Sequence, residues 1–434
     1  MVSSKKNDIR LSFLGGCGEV GRIGIKLELS GGKSLLLDYG VSLSGEDMPV
    51  FPGHVRPKDL RSVFLSHAHL DHSGALPLLF SGEVKVPVYT TSLTARLSYL
   101  LLEDFLHISG YNLPFERREV NVLMKNIKAV NYGQETMMGK DVTVRLIDAG
   151  HIPGSAMILV KSPEANILFT GDFNLVETQL LNAARISDIN LSEVDVVVME
   201  TTYANIDHPD RRDLEKEFVE SCREVVDKGG IVLIPAFAVG RSQEILCVLR
   251  RYDFEYPMTL DGMARHTSRI LLNYPEFVRN QKLLREALSR AKWITNWAER
   301  RRALKNPGVI VSPAGMLKGG AALYYLQKIY KNPQNAVFLV SYQIEGTPGR
   351  MLLETGKFKF NGSLEEVKAQ VKWFDFSAHS GHKELMRFLS MLSPETTVFL
   401  IHGELDAAKK LASEAEETLE LKVILPEEGR VYHL

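Results

Sequence analysis

Short apolar runs recur along this chain, and one after another they stop at a residue able to bind a metal or move a proton. Runs of that length, bounded by turn formers, read as buried strands. Residues 9–14 alternate loosely and enter Gly15-Gly16-Cys17-Gly18-Glu19-Val20-Gly21. Strands are expected over 23–29 and 34–37, the second ending in Asp38. This opening reads as a β-meander. Its glycines mark tight turns, because the spacing fits no nucleotide fingerprint and a strand follows where a helix would be needed. The run 63–65 ends at Ser66, the alternating stretch 141–148 leads to His151, and 166–170 leads to Asp172. Residues 194–199 end at Glu200, 368–374 lead to Ser377-Ala378-His379, and 396–401 end at His402. Rigid strands that deliver polar groups to one rim are how layered α/β enzymes build sites.

Helical spacing supports helices over 92–106, 243–250, 321–330 and 383–392, and the start of one over 75–80. Between 229 and 340, strand, loop and helix alternate, which argues a parallel sheet with helices on its faces. Lys292 falls in an expected helical stretch leading to Arg300-Arg301-Arg302. The chain as a whole therefore reads as α/β, with a second domain inserted within the first. Its segments are 1–205 and 361–434 for the first domain and 206–360 for the insert.

The densest chemistry lies in Ser66-His67-Ala68-His69-Leu70-Asp71-His72-Ser73, where three of the chain's 12 histidines and one carboxylate fall within six residues. Imidazole nitrogen and carboxylate oxygen suit zinc. His67 and His69 alternate, so an extended or tightly turned loop lets both face one ion. Asp71 and His72 lie beyond the bend and can face a second. His151 and Asp172 extend the set, and the Asp172 carboxylate is suited to bridging two ions. His107 has no ligand-type neighbours, and His382, at a helix start, is explained by capping or exposure.

Composition bounds the setting. A chain of 434 residues is too long for one ordinary core. No apolar run approaches the roughly 20 residues of a membrane span, and residues 1–10 have no signal-peptide core. The three cysteines, Cys17, Cys222 and Cys247, are far apart and build neither a disulfide framework nor a thiolate zinc site. A cytoplasmic protein is expected. The net charge of −1 conceals an asymmetry: residues 206–360 hold 25 Lys+Arg against 17 Asp+Glu, and the remainder 27 against 36. A basic insert on an acidic metal-binding module suits a polyanionic substrate. Loops at 312–320 and 346–350 offer small residues, backbone N–H groups and a cation, as phosphate cradles do; Arg241 follows a glycine in a third.

The HxHxDH pattern, with the later strand-end ligands in order, resembles the metallo-β-lactamase superfamily of two-metal hydrolases. The insert loops and the motifs around His379 and His402 resemble its β-CASP ribonucleases, ribonuclease J and the cleavage-and-polyadenylation-factor-like nucleases. Size and the lack of added RNA-binding domains are most similar to short prokaryotic or archaeal members. Ser341 departs from a frequent glycine. The resemblance implies an αββα sandwich carrying an inserted β-CASP domain, and hydrolysis of RNA phosphodiester bonds, endonucleolytic and also 5′-to-3′ exonucleolytic in some members. It implies two Zn2+ per chain: one held by His67, His69 and His151, the other by Asp71, His72 and His402, with Asp172 between them. By the same resemblance Asp38 orients the histidine loop, and His379 donates a proton with Glu200 beside it. Catalytic work thus falls to His379, Glu200 and Asp71. By the resemblance, Arg241, Ser312, Gly315, Lys318, Thr347 and Arg350 are expected to contact phosphates of single-stranded RNA in a cleft between the domains. No membrane partner is expected, and a homodimer is left open. Rival readings are a DNA-processing β-CASP nuclease, a scaffold subunit that binds RNA without cutting it, and a small-molecule thioesterase or lactonase. His402 favours RNA over DNA, the complete ligand set argues against a scaffold, and the basic insert argues against the small-molecule enzymes.

Overall fold

The computed structural model describes residues 9–29, 32–43 and 48–434. The chain forms two compact units. The first comprises Met1–Val176, Ala183–Asp207 and Ala378–Leu434, and the second comprises Glu177–Asn182 and His208–Ser377.

In the first unit, sequence-distant strands assemble into two seven-stranded sheets. One runs, edge to edge, Val431–His433, Arg10–Gly15, Gly24–Glu28, Ser34–Tyr39, Leu60–Phe64, Val88–Thr90 and Ile127–Ala129. The other runs Lys422–Ile424, Thr397–Ile401, Val196–Glu200, Asn166–Phe169, Ala156–Lys161, Thr143–Asp148 and Glu135–Met137. Their alternating apolar positions face each other: Phe13, Ile25 and Phe64 of the first pack against Ile158, Val198 and Phe399 of the second. The outer face of the first sheet is covered by the helices Ser92–Ser109 and Arg117–Asn126, through Leu102, Phe105, Val120 and Leu123. The outer face of the second is covered by His382–Leu389 and Leu405–Leu419, through Phe388 and Leu411. Every face that the sequence makes apolar is thereby buried, which gives the αββα sandwich.

The second unit holds a six-stranded sheet, in the order Ala291–Trp293, Met258–Leu260, Gly308–Ser312, Ile231–Pro235, Ala336–Leu339 and Gln370–Trp373. All its pairings are parallel. A small hairpin joins Lys357–Phe360 to Ser363–Glu366. Helix Gly320–Ile329 packs Tyr325 and Leu326 against Leu233 and Val337.

Gln370–Trp373 pairs with Ala336–Leu339, and the second compact unit runs to Ser377. Two local expectations are corrected. Lys292 lies on an edge strand, which sequence periodicity had merged with the preceding helix Gln281–Arg290. The expected helix start at 75–80 is a 3-10 turn, Leu76–Phe80, with Pro77 in its first positions. The strand Ala156–Lys161 and the helices Arg211–Asp227 and Leu405–Leu419 were not anticipated.

Candidate metal centre

Strand ends of the first unit bring the histidine loop, His151, Asp172, Glu200 and His402 together. The loop leaves Leu60–Phe64 and closes in one helical turn, Leu70–Ser73, that carries Asp71 and His72. Backbone bonds pin it: Ser66 O accepts from Ala156 N at 2.9 Å, and Ile23 N donates to Asp71 O at 2.9 Å. Gly40 is required there, because a Cβ on it would sit 1.7 Å from Asp71 O.

His67, His69, His151 and Asp172 form one group, and His72, Asp172 and His402 another; in each, one ligand atom per residue lies within 4.8 Å of the others. In the first group His69 Nδ1 is 3.2 Å from His67 Nε2 and 3.3 Å from His151 Nε2. Asp172 Oδ2 lies 3.5 Å from both of those Nε2 atoms. The other oxygen, Asp172 Oδ1, faces the second group, 3.2 Å from His72 Nε2 and 3.5 Å from His402 Nδ1. Asp71 joins from the rim, its Oδ2 3.3 Å from His402 Nε2. One carboxylate thus turns an oxygen to each group, the geometry expected of a bridging ligand.

The donor set fits metal ions. His72 Nδ1 lies 2.6 Å from Asp38 Oδ2, which fixes the ring with Nε2 toward Asp172. His151 Nδ1 bonds Ala378 O at 2.9 Å, freeing Nε2 in the same way. Carboxylates and carbonyls behind ligating imidazoles fix the tautomer in this manner. His72 Nε2 and Asp172 Oδ1 are buried without a hydrogen-bond partner among the described residues. Burial, with neighbouring histidines, holds His67 and His151 well below the usual imidazole range, so both present lone pairs. Burial opposes charge on His72 as well, but Asp172 and Asp38 outweigh it and raise its pKa. Converging lone pairs and carboxylate oxygens repel one another until a cation lies between them.

Beside the groups sits His379, half-buried, its Nδ1 2.7 Å from Glu200 Oε1. Burial disfavours its charged form, and the Glu200 carboxylate overcomes that and raises its pKa. Glu200 is itself held, accepting from Phe173 N at 3.1 Å and Thr202 N at 3.2 Å.

The sequence did not single out three supporting residues. Ser66 donates to Asp38 at 2.6 Å and lies 3.1 Å from His67 Nδ1. Thr202 Oγ1 lies 3.0 Å from His402 Nδ1. The Gly16 carbonyl accepts from His402 N at 2.8 Å. A hydroxyl next to a candidate ligand histidine is a usable sequence signal for Ser66; Thr202 lies 200 residues from His402 and carries none. His382 bonds Ala204 O at 2.7 Å and pairs with Glu414, a structural tie.

In the second unit, the candidate phosphate residues gather at the carboxyl ends of parallel strands. Ser312 closes Gly308–Ser312 and Lys318 lies in the loop after it, while Arg241 opens helix Arg241–Arg251. Ser312 is buried, and Gly315 O accepts from Gln343 Nε2 at 3.2 Å. Thr347 is buried too and caps helix Pro348–Thr355, accepting from Arg350 N. Arg350 is 44% exposed and pairs with Glu354 at 2.5 Å. The two hydroxyls are thus buried within the fold, whereas the Arg350 guanidinium reaches solvent.

A two-sheet sandwich with clustered histidine and aspartate ligands on its strand ends is the architecture of a metallo-hydrolase. Residues 27–203 match the metallo-beta-lactamase superfamily domain, 242–352 the Beta-Casp domain, and 365–426 the Zn-dependent metallo-hydrolase RNA specificity domain. The chain belongs to the β-CASP family of the metallo-β-lactamase superfamily. It is 44% identical to the RNase aCSPSF2 of Saccharolobus solfataricus, over 97% of this chain and 84% of that one. It is 38% identical to the probable RNase MJ4 of Methanocaldococcus jannaschii, over 91% and 93%. It is 33% identical to the transcription termination factor FttA of the same organism, over 91% of this chain and 67% of that one. Among the described residues no helix is long and apolar enough to cross a membrane.

Proposed function

We propose that this chain is a ribonuclease that hydrolyses phosphodiester bonds of single-stranded RNA with two zinc ions. The observation that carries the reading is Asp172, which turns one oxygen to His67 and His151 and the other to His72 and His402. Zinc bound there would supply Lewis acidity toward an anionic phosphodiester and would acidify water near neutral pH. His67, His69 and His151 would hold one ion, and Asp71, His72 and His402 the other. Asp38 keeps His72 in the ligating tautomer and, through Ser66, braces His67. His379, raised in pKa and partly open, holds a proton for the leaving 3′ oxygen, and Glu200 holds the His379 ring in place. The names of the relatives and the matched RNA specificity domain favour RNA over DNA. Arg241, Lys318 and Arg350 supply cations for phosphates.

The test is incubation of the purified protein with single-stranded RNA labelled at either end, with and without a chelator. Internal cuts appear as a ladder from both labels, and 5′-to-3′ trimming as mononucleotide from the 5′ label. Chelator should abolish both and added zinc restore them. Cleavage that survives chelation would refute the reading.

A further inference from the structure

In the second unit an exposed tryptophan is built into a rigid aromatic corner that nothing so far explains. Trp297 is 57% exposed. Asn296 caps its helix, Trp297–Ala303, accepting from Glu299 N at 3.0 Å. The Arg300 guanidinium lies over the indole, 4.6 Å from the ring centroid. Tyr324 meets the same indole edge-on at 5.3 Å and 80°. Arg300 is anchored beneath: its Nε and Nη2 donate to the two oxygens of Asp261 at 2.6 and 2.9 Å. Asp261 is fully buried and also accepts from Tyr325 OH at 2.9 Å. A bidentate guanidinium pair of this kind fixes both position and plane.

The placement is informative. Trp297 follows the strand Ala291–Trp293, and Asp261 follows Met258–Leu260, both at carboxyl ends of the parallel sheet. Ligands of open α/β sheets bind at that edge. Tyr324 lies on helix Gly320–Ile329, directly after the loop that carries Lys318. The surroundings are cationic: residues 285–305 hold seven Lys or Arg against two Glu, and Lys292, Arg301 and Arg302 are exposed. An exposed indole, backed by an immobilised guanidinium and set among cations, is the arrangement that stacks an unpaired base while its phosphates stay near positive charge.

We propose that Trp297, held by Arg300 and Tyr324, is a base-stacking platform for single-stranded RNA. The proposal rests on the ribonuclease reading and adds a binding subsite to it. A stacked base is worth about 1–3 kcal/mol, a 5- to 150-fold change in affinity.

The experiment measures binding of a fluorescein-labelled single-stranded oligouridylate by anisotropy, with His379→Ala as the parent so that cleavage is slow. Adding Trp297→Ala should raise Kd about 5- to 150-fold, and adding Trp297→Phe should keep most of the affinity. The slope of log affinity against log salt should stay the same in both, since stacking releases no counterion. Should Trp297→Ala lower the melting temperature, Trp297→Leu, which keeps apolar bulk without a π-face, takes its place and should show the same loss of affinity, an unchanged Kd overturning the platform. An unchanged Kd in Trp297→Ala, or equal loss in Trp297→Phe, overturns the platform. A parent that binds no RNA overturns the ribonuclease reading, and the platform with it.

Discussion

Replacing Glu200 by Gln tests how the proposed acid is tuned. Glu200 Oε1 accepts the hydrogen bond of His379 Nδ1–H at 2.7 Å. A hydrogen bond to a charged group contributes about 1.5–3 kcal/mol. Its loss should lower the His379 pKa, because burial then opposes the charged form with less to offset it. The sign follows from the chemistry: the donor form is protonated, so activity falls as pH rises through this pKa. The carboxylate raises that pKa, so its neutralisation moves the alkaline limb of kcat to lower pH. Well below both limbs the variant should turn over close to the parent rate. Above them it should lose about 10- to 100-fold, the hydrogen bond of about 1.5–3 kcal/mol read as rate. A stability cost accompanies this. If the oxygen of the substituted amide keeps His379 and Phe173 N, the amide nitrogen meets Thr202 N–H, donor against donor. One buried donor then goes unsatisfied, at about 1–3 kcal/mol, visible as a lower melting temperature. The assay is single-turnover cleavage of end-labelled RNA across pH, at saturating zinc. An alkaline limb that stays in place while kcat falls equally at every pH would refute tuning by Glu200.

Three further outcomes are expected. Purified protein should carry two zinc ions per chain by elemental analysis, and His402→Ala should retain close to one; a single ion in the parent would remove the two-ion assignment. His379→Ala should keep both ions and its RNA affinity while kcat falls by about 10²–10⁴, and a lost ion would make His379 a ligand. Arg350→Ala should weaken RNA binding and lower the salt slope by about one, whereas an unchanged slope would leave Arg350 a helix-end residue paired with Glu354.

The clustering of the candidate site residues was legible because each follows a short apolar strand that ends abruptly. His151, Asp172, Glu200 and His402 all sit at such ends, and the parallel and antiparallel pairings align those ends on one rim. What escaped the sequence was of two kinds. Gln370–Trp373 is a mostly exposed edge strand, so its polar residues gave no sign of which sheet it joins. Arg211–Asp227 and Leu405–Leu419 are charged on one face, and their apolar stripes become evident only against the sheets they cover. Among the phosphate candidates, Thr347 has the right chemistry, but its hydroxyl is committed to a helix cap, and residue type does not reveal that. Ser66 and Thr202 were passed over for the opposite reason: ordinary hydroxyls become positioning groups once a histidine lies against them.

The order of strands in the second sheet has a consequence for the protein as it is made. Val196–Glu200 lies between Asn166–Phe169 and Thr397–Ile401, and its five residues are all buried. About 200 residues separate this strand from its later neighbour. At about 5–20 residues per second the ribosome needs roughly 10–40 s to cover that distance. Throughout that interval a Val-rich strand has no partner on one side, the kind of edge that recruits other chains. His402 directly follows that same late strand, so the nascent chain would also lack one member of the candidate metal site until that strand is made. Pausing or truncation within the inserted unit should therefore yield aggregates that are silent toward RNA, and a chaperone that covers strand edges should matter more for this protein during its synthesis than afterwards.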